Sequence, residues 1–318
     1  MTELLDEIAK GAKTIAIAGH VHPDGDCVGS VLGCALYLKA VLPSEVSVHA
    51  YLENISESFS MLSGLSEIDT EFQIPDEPYD LFISVDCGSS DRLGRCENAF
   101  HAAKKTVSFD HHITNTEFAD RNFVDASASS TCEVLFAHMR RAAIDLPIAE
   151  ALYTGILHDT GVFKYSSTSE KTMCTAGYLM SKGIDTATLV DRSFYMKTYA
   201  QLKALGLALG KAELELGGKV IVAVLTLNDM KSINASHEDT GSIVSELRTT
   251  EGVEVAIFVR EDMPGLYKFS LRSNGKVDVA SISSGFGGGG HKLAAGFSAA
   301  GDLNEFLTQL YALIMLQL

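Results

Sequence analysis

The 318-residue sequence predicts an α/β protein: a parallel-sheet domain with helices on both faces, then a smaller α/β domain with a mixed sheet. Three observations predict it. Short apolar runs alternate with helical stretches through the first half, as in strand–helix–strand units. Several of those runs are apolar at consecutive positions, as strands buried on both faces must be. From residue 219 onward longer strand-like runs dominate, with fewer helical stretches between them.

In chain order, residues 2–12 (TELLDEIAKGA) read as an opening helix and residues 14–19 (TIAIAG) as a buried strand ended by a turn. Residues 30–41 read as helix, residues 45–50 as an alternating strand, and residues 80–85 (DLFISV) and 105–109 (KTVSF) as two more buried strands. Residues 129–143 and 148–157 read as helices. Residues 185–211, charged and with few breakers, read as one helix joining two domains. Strands follow at 219–227, 253–261 and 266–273, with a helix at 242–248, a glycine-rich turn near Gly287 and a closing helix at 303–316. The expected division is a metal-binding domain over 1–185, a helical linker over 186–213 and a substrate-binding domain over 214–318.

Hydrophobic residues make up 46% of the chain and charged residues 21%, enough apolar surface for sizeable cores. The net charge of −16 argues against a binder of long duplex nucleic acid, whose affinity rests on cationic contacts to phosphates. A short anionic ligand stays open, because bound metal cations reverse the local field. None of the six cysteines forms a C-x-x-C pair, and their spacing does not read as a disulfide framework, so reduced thiols in a cytoplasmic protein are expected. The N-terminus does not read as a signal peptide, and no stretch of about 18 apolar residues predicts a membrane span.

Three buried strands end in the same chemistry. The first runs into His20, Val21, His22, Pro23, Asp24, Gly25 and Asp26; the second ends at Asp86; the third ends at Asp110, His111 and His112. Ligands of open α/β sheets bind beyond the carboxyl ends of the strands. A fourth contribution, His158-Asp159-Thr160-Gly161, follows a helix. Asp-Gly alone is a common turn pair, and a lone His-His pair is more often structural. Carboxylates crowded together repel unless cations neutralise them, and this mixture with imidazole favours Mn²⁺, Mg²⁺ or Fe²⁺. Six good ligands fit two cations sharing one carboxylate, a pair about 3.5–4 Å apart that activates water and clamps a phosphoryl group. In the second domain, Gly287 to Gly290 followed by His291 and Lys292 can present backbone N–H groups to an anion, and Arg272 and Ser273 end a strand nearby.

These motifs together resemble the DHH phosphoesterase superfamily, in the branch with a DHHA1 domain, and within it the bacterial nanoRNases, oligoribonucleases that also dephosphorylate 3′-phosphoadenosine 5′-phosphate (pAp). The resemblance spans nearly the whole chain. It rests on H-x-x-P-D-G-D-x-x-G-S from His20 to Ser30, D-C-G at Asp86, D-H-H at Asp110, D-T-G at Asp159 and G-G-G-G-H from Gly287. It implies that His20, Asp24 and Asp86 hold one cation, and that Asp26, Asp86, His111 and Asp159 hold the other, with Asp86 bridging and manganese the first choice. It implies a catalytic set of Asp86, His112 facing the scissile phosphate, and Asp110 orienting a neighbouring histidine. Arg272, Ser273, Gly288, Gly289, Gly290 and His291 are the implied substrate-binding residues, set across a cleft between the domains. Two positions depart from the family: His22, of open role, and Cys27, expected to be neutral to the chemistry.

The implied reaction is metal-dependent hydrolysis of short oligoribonucleotides, by 3′-5′ or 5′-3′ exonucleolytic cleavage, or of pAp. The alternative is a cyclic di-AMP or pApA phosphodiesterase. A pyrophosphatase or exopolyphosphatase and a non-catalytic nucleotide-binding regulator rank lower, since the glycine-rich domain argues against the first and no ligand is missing for the second. Expected partners are short oligoribonucleotides or small nucleotides, with no membrane and with a homodimer left open.

Overall fold

The apolar runs of the first half become one six-stranded sheet. In the computed structural model, which describes residues 3–318, its strands are β1 (Thr14–Ala18), β2 (Ser47–Tyr51), β3 (Ile68–Asp69), β4 (Leu81–Val85), β5 (Thr106–Asp110) and β6 (Arg121–Val124). Their order is β3-β2-β1-β4-β5-β6, and every neighbouring pair is parallel. All side chains of β4 and β5 are buried, as the unbroken apolar runs require.

Helices α1 (Leu5–Ile8), α2 (Gly25–Val41), α3 (Glu97–Ala102), α4 (Thr131–Ala137), α5 (Leu146–Asp159), α6 (Glu170–Met180) and α7 (Thr186–Val190) complete the first unit, Met1–Met196. Ile15, Ile17, Ile83 and Val85 pack into one core with α2, α4 and α5, while Ala16, Ala18 and Phe82 pack with Phe100 of α3 on the other face. Strand order reverses between β1 and β4, so a crevice opens at their carboxyl ends. Register sets the levels there: Ala18 lies opposite Ser84, and Val85 opposite Phe109. Continued by a residue or two, those ladders bring His20, Asp86 and Asp110 to one level. Glycines bring α2 and α5 together, since a Cβ on Gly29 would meet the Ala151 carbonyl at 2.4 Å and one on Gly155 would meet Asp26 Oδ1 at 2.6 Å.

The second unit, Lys197–Leu318, adds α8 (Tyr199–Gly210), β7 (Glu213–Glu215), β8 (Val220–Leu225), α9 (Leu227–Ser232), α10 (Ile243–Arg248), β9 (Val255–Met263), β10 (Leu266–Ser273), α11 (Val279–Ser284), β11 (Gly289–His291), β12 (Ala294–Ala300) and α12 (Leu303–Met315). Its sheet runs β11-β12-β10-β9-β8-β7, with only the β8–β9 pair parallel. One face packs on α11 and α12, the other on α8, α9 and α10. The expected fold class, a parallel sheet followed by a smaller mixed sheet, is what forms.

Several boundaries differ. The helix expected from residue 30 begins at Gly25, because the Asp24 carboxylate accepts from the Asp26 and Cys27 amides at 3.0 and 3.1 Å and starts it early. The connecting helix of 185–211 is broken. It stops at Val190, passes through a wide turn over Asp191–Tyr195, and restarts at Tyr199 under a Thr198–Gln201 capping box. The opening helix shrinks to α1, and Thr2 of the expected span lies outside the described residues. No helix among the described residues is long and apolar enough to cross a membrane.

Candidate metal centre

Asp86 sits one residue beyond β4, and its amide still donates to the Phe109 carbonyl at 3.0 Å, extending the ladder by one bond. Its φ of 56° is left-handed, a conformation that Asp tolerates better than most residues. One carboxylate oxygen lies 3.5 Å from His20 Nε2; the other lies 3.8 Å from His111 Nε2 and 3.7 Å from His112 Nδ1. Asp86 therefore stands between the histidine delivered by β1 and the two delivered by β5.

The flanking carboxylates come from helix ends. Asp24 Oδ1, already engaged as the α2 cap, lies 3.8 Å from His20 Nε2. Asp26, in the first turn of α2, is wholly buried and lies 3.9 Å from His111 Nε2. Asp159, at the last turn of α5, lies 3.0 Å from the same nitrogen. Three groups of ligand atoms each fall within 4.8 Å: His20, Cys27 and Asp86; Asp86, His111 and His112; Asp26, His111 and Asp159. The presence of Cys27 Sγ in the first is unanticipated. Burial, and then the charges of Asp86 and Asp24, push its thiol well above the ordinary value.

The electrostatics test whether cations fit. Burial first, then the charges of Asp86 and Asp159, push the Asp26 carboxyl well above the usual carboxylate range. Burial and Asp86 likewise raise Asp159, although the His111 bond opposes them. Burial alone would lower His111, but the Asp159 bond and the Asp26 and Asp86 charges carry it to about 10. Burial would raise Asp86, yet His20, His111 and His112 hold it below the usual value. Carboxylates this crowded, with imidazoles drawn toward the charged form, are a donor set that divalent cations neutralise. The residues fit a cation pair.

Around these side chains lies a second layer of bonds. Asp110 is wholly buried and accepts from His112 Nδ1 at 2.7 Å, from the His111 amide at 2.9 Å and from Asn115 Nδ2 at 2.7 Å. That bond, ahead of an opposing burial effect, raises His112 and leaves its Nε2 free. Thr131, absent from the residues expected in the site, holds two of these carboxylates at once. Its amide donates to Asp26 at 2.6 Å and its hydroxyl to Asp86 at 2.9 Å, while the Cys132 amide donates to Asp26 at 3.0 Å. The start of α4 thus serves as an anion cradle, and the Ser130-x-x-Glu133 cap signature marks it in the sequence. Replacing Thr131 by valine is expected to weaken cation binding about 10- to 100-fold, the usual cost of losing a bond that orients a ligand. Titration of Mn²⁺ with detection of the free ion checks it. His158 turns away, its ring packed between Phe59 and Phe194 at 5.1 and 4.6 Å, and His22 is exposed with a left-handed backbone.

The second unit places its residues differently. Arg272 of β10 and His291 of β11 both lie opposite Ala294 of β12, so they share a face two strand spacings apart, roughly 10 Å. Arg272 is half-buried and donates to the Leu271 carbonyl at 3.0 Å; burial and the neighbouring Arg248 lower its pKa. Ser273 faces the opposite side of β10, is wholly buried, and donates to Glu254 at 3.2 Å. The Gly288 amide donates to the Ser283 carbonyl at 2.9 Å. Gly289 and Gly290 lie exposed on the edge strand, and at Gly290, φ 143°, a Cβ would meet the Ala294 carbonyl at 2.4 Å.

The chain matches the model of the DHH family N-terminal domain over residues 14–156 and that of the DHHA1 domain over residues 217–315. It is 32% identical to the bifunctional oligoribonuclease and PAP phosphatase NrnA of Thermus thermophilus, over 95% of this chain and 90% of that one. It is 31% identical to the probable bifunctional oligoribonuclease and PAP phosphatase NrnA of Streptococcus mutans, over 90% of each. A crystal structure of an exopolyphosphatase-related protein from Bacteroides fragilis shares the fold, with a TM-score of 0.84 and 24% identity over 98% of this chain and 95% of that one.

Proposed function

The chain belongs to the DHH family, with a DHHA1 domain following over residues 217–315, and from that membership we propose that it hydrolyses short oligoribonucleotides and pAp with a pair of divalent cations, manganese foremost. The observation that carries this reading is the position of Asp86. It stands at the reversal of strand order and within 3.8 Å of an imidazole nitrogen on either side. His20, Asp24 and Asp86 would hold one cation; Asp26, Asp86, His111 and Asp159 would hold the other. When bound, such a pair supplies Lewis acidity, lowering the pKa of water and neutralising phosphate charge.

The remaining steps belong to the chain. Asp110 fixes the His112 ring through Nδ1, so Nε2 presents its proton to a phosphoryl oxygen or to the leaving group. The raised pKa of His112 keeps more of it protonated near neutrality. Thr131 and the first turn of α4 keep Asp26 and Asp86 aimed while charge shifts at phosphorus. In the second unit, Arg272, His291 and the Gly289–Gly290 backbone would bind a terminal phosphate or nucleotide of the substrate. A grip on one chain end favours very short substrates.

The deciding experiment offers pAp, pApA, cyclic di-AMP, pyrophosphate and a ladder of short RNAs to the Mn²⁺-loaded protein. Expected are release of phosphate from pAp and stepwise shortening of two- to five-mers, the end-labelled ladder giving the polarity. Cleavage of cyclic di-AMP or pyrophosphate alone would replace the proposal, and no cleavage at all would end the enzymatic reading. Repeating the assay on Arg272→Ala tests the second unit: KM should rise with kcat nearly unchanged.

A further inference from the structure

Arg92 is an exposed cation beside the carboxylate cluster, and it forms an ion pair with none of the described carboxylates. Its guanidinium lies 3.4 Å from His20 Nδ1. The same Nδ1 lies 2.9 Å from the Val21 carbonyl.

His20 can offer Nε2 to a cation only in the tautomer whose proton sits on Nδ1, and that proton then goes to Val21. A guanidinium carries donors only. In the ligating tautomer, therefore, the ring has nothing to give Arg92, and the guanidinium N–H groups at that edge need an acceptor from elsewhere. The backbone holds the residue there. The Val21 amide donates to the Arg92 carbonyl at 2.8 Å, and a Cβ on Gly94 would meet Val21 Cγ1 at 2.4 Å, so the two loops lie locked side by side. Arg92 thus touches the Nδ1 edge of His20, whose Nε2 edge lies 3.5 Å from one Asp86 oxygen, while the other Asp86 oxygen lies 3.7 Å from His112.

We infer that Arg92 forms a phosphate subsite on the His20 flank of the centre, opposite His112, and binds non-bridging oxygens of the substrate phosphate or of the phosphate next to it. The inference rests on the phosphoesterase reading and deepens it. The planar fork of arginine suits two phosphate oxygens at once.

The test compares wild type, Arg92→Ala and Arg92→Lys, each loaded with Mn²⁺, in three measurements: calorimetric titration with inorganic phosphate, Mn²⁺ affinity from the free-ion paramagnetic resonance signal, and KM and kcat on pAp. For Arg92→Ala, phosphate binding should weaken and KM should rise about tenfold or more, the usual loss for a charge-assisted bond. Mn²⁺ affinity should stay within about twofold, and lysine should recover only part of the loss, since it keeps the charge without the fork. Unchanged phosphate binding overturns the subsite. So does a parallel fall in Mn²⁺ affinity, which would make Arg92 a positioning residue for His20. Wild type that binds phosphate in an Arg92-dependent way yet cleaves no substrate would support the subsite and refute the hydrolytic reading.

Discussion

Replacing Asp86 by asparagine is expected to lower hydrolysis of pAp at least about a thousandfold and to weaken both cations together, because a shared ligand cannot fail at one site alone. The expectation follows from geometry: one carboxylate oxygen faces His20 at 3.5 Å, and the other faces His111 at 3.8 Å. Asparagine is the sharper substitution. At a φ of 56° alanine would add about 1 kcal/mol of backbone strain, whereas asparagine tolerates that conformation, so any loss reports on charge. Cations retained per chain after gel filtration, measured beside kcat/KM, check the prediction. Turnover near that of wild type, or loss of one cation with the other held at full affinity, would refute the bridging role.

What made Asp86 legible in the sequence is the same physics that makes it central. A parallel strand buried on both faces reads as an unbroken apolar run, so a charged residue at its end is conspicuous. The strand-end clusters at His20, Asp86 and Asp110 were visible for that reason. Thr131 was not, because it acts on Asp26 from 105 positions away along the chain, and only packing of α4 against α2 brings the two together. The short strand β3 and the half-exposed strand β6 gave no strand signal, since neither carries a run of buried apolar residues. Adjacency in sequence did not show that Ser273 and Arg272 point apart, because neighbours in a strand face opposite sides. The break after Val190 had a signal that charge and the scarcity of breakers obscured, the Thr198-x-x-Gln201 capping pattern.

Loading the protein with Mn²⁺ at pH 8 is expected to release protons, at least one of them from His111. In the metal-free protein the Asp159 bond and the charges of Asp26 and Asp86 overcome burial and raise His111 to about 10, above its ordinary 6.5. The sign follows from linkage. This pairing stabilises the metal-free fold fully below about pH 6.5, and the contribution is lost as pH rises through about 10. Cation binding at Nε2 requires the neutral ring, so the proton must leave. Apparent Mn²⁺ affinity should then climb about tenfold per pH unit between pH 7 and 9 for each proton displaced. Asp26, also raised in the metal-free state, steepens the dependence toward the acid side. Calorimetric titrations in buffers of different ionisation heat count the protons directly, and His111→Gln should remove the His111 share. Loading without proton release at pH 8 would show that His111 is not a ligand, and would leave its closeness to Asp159 as an ion pair alone.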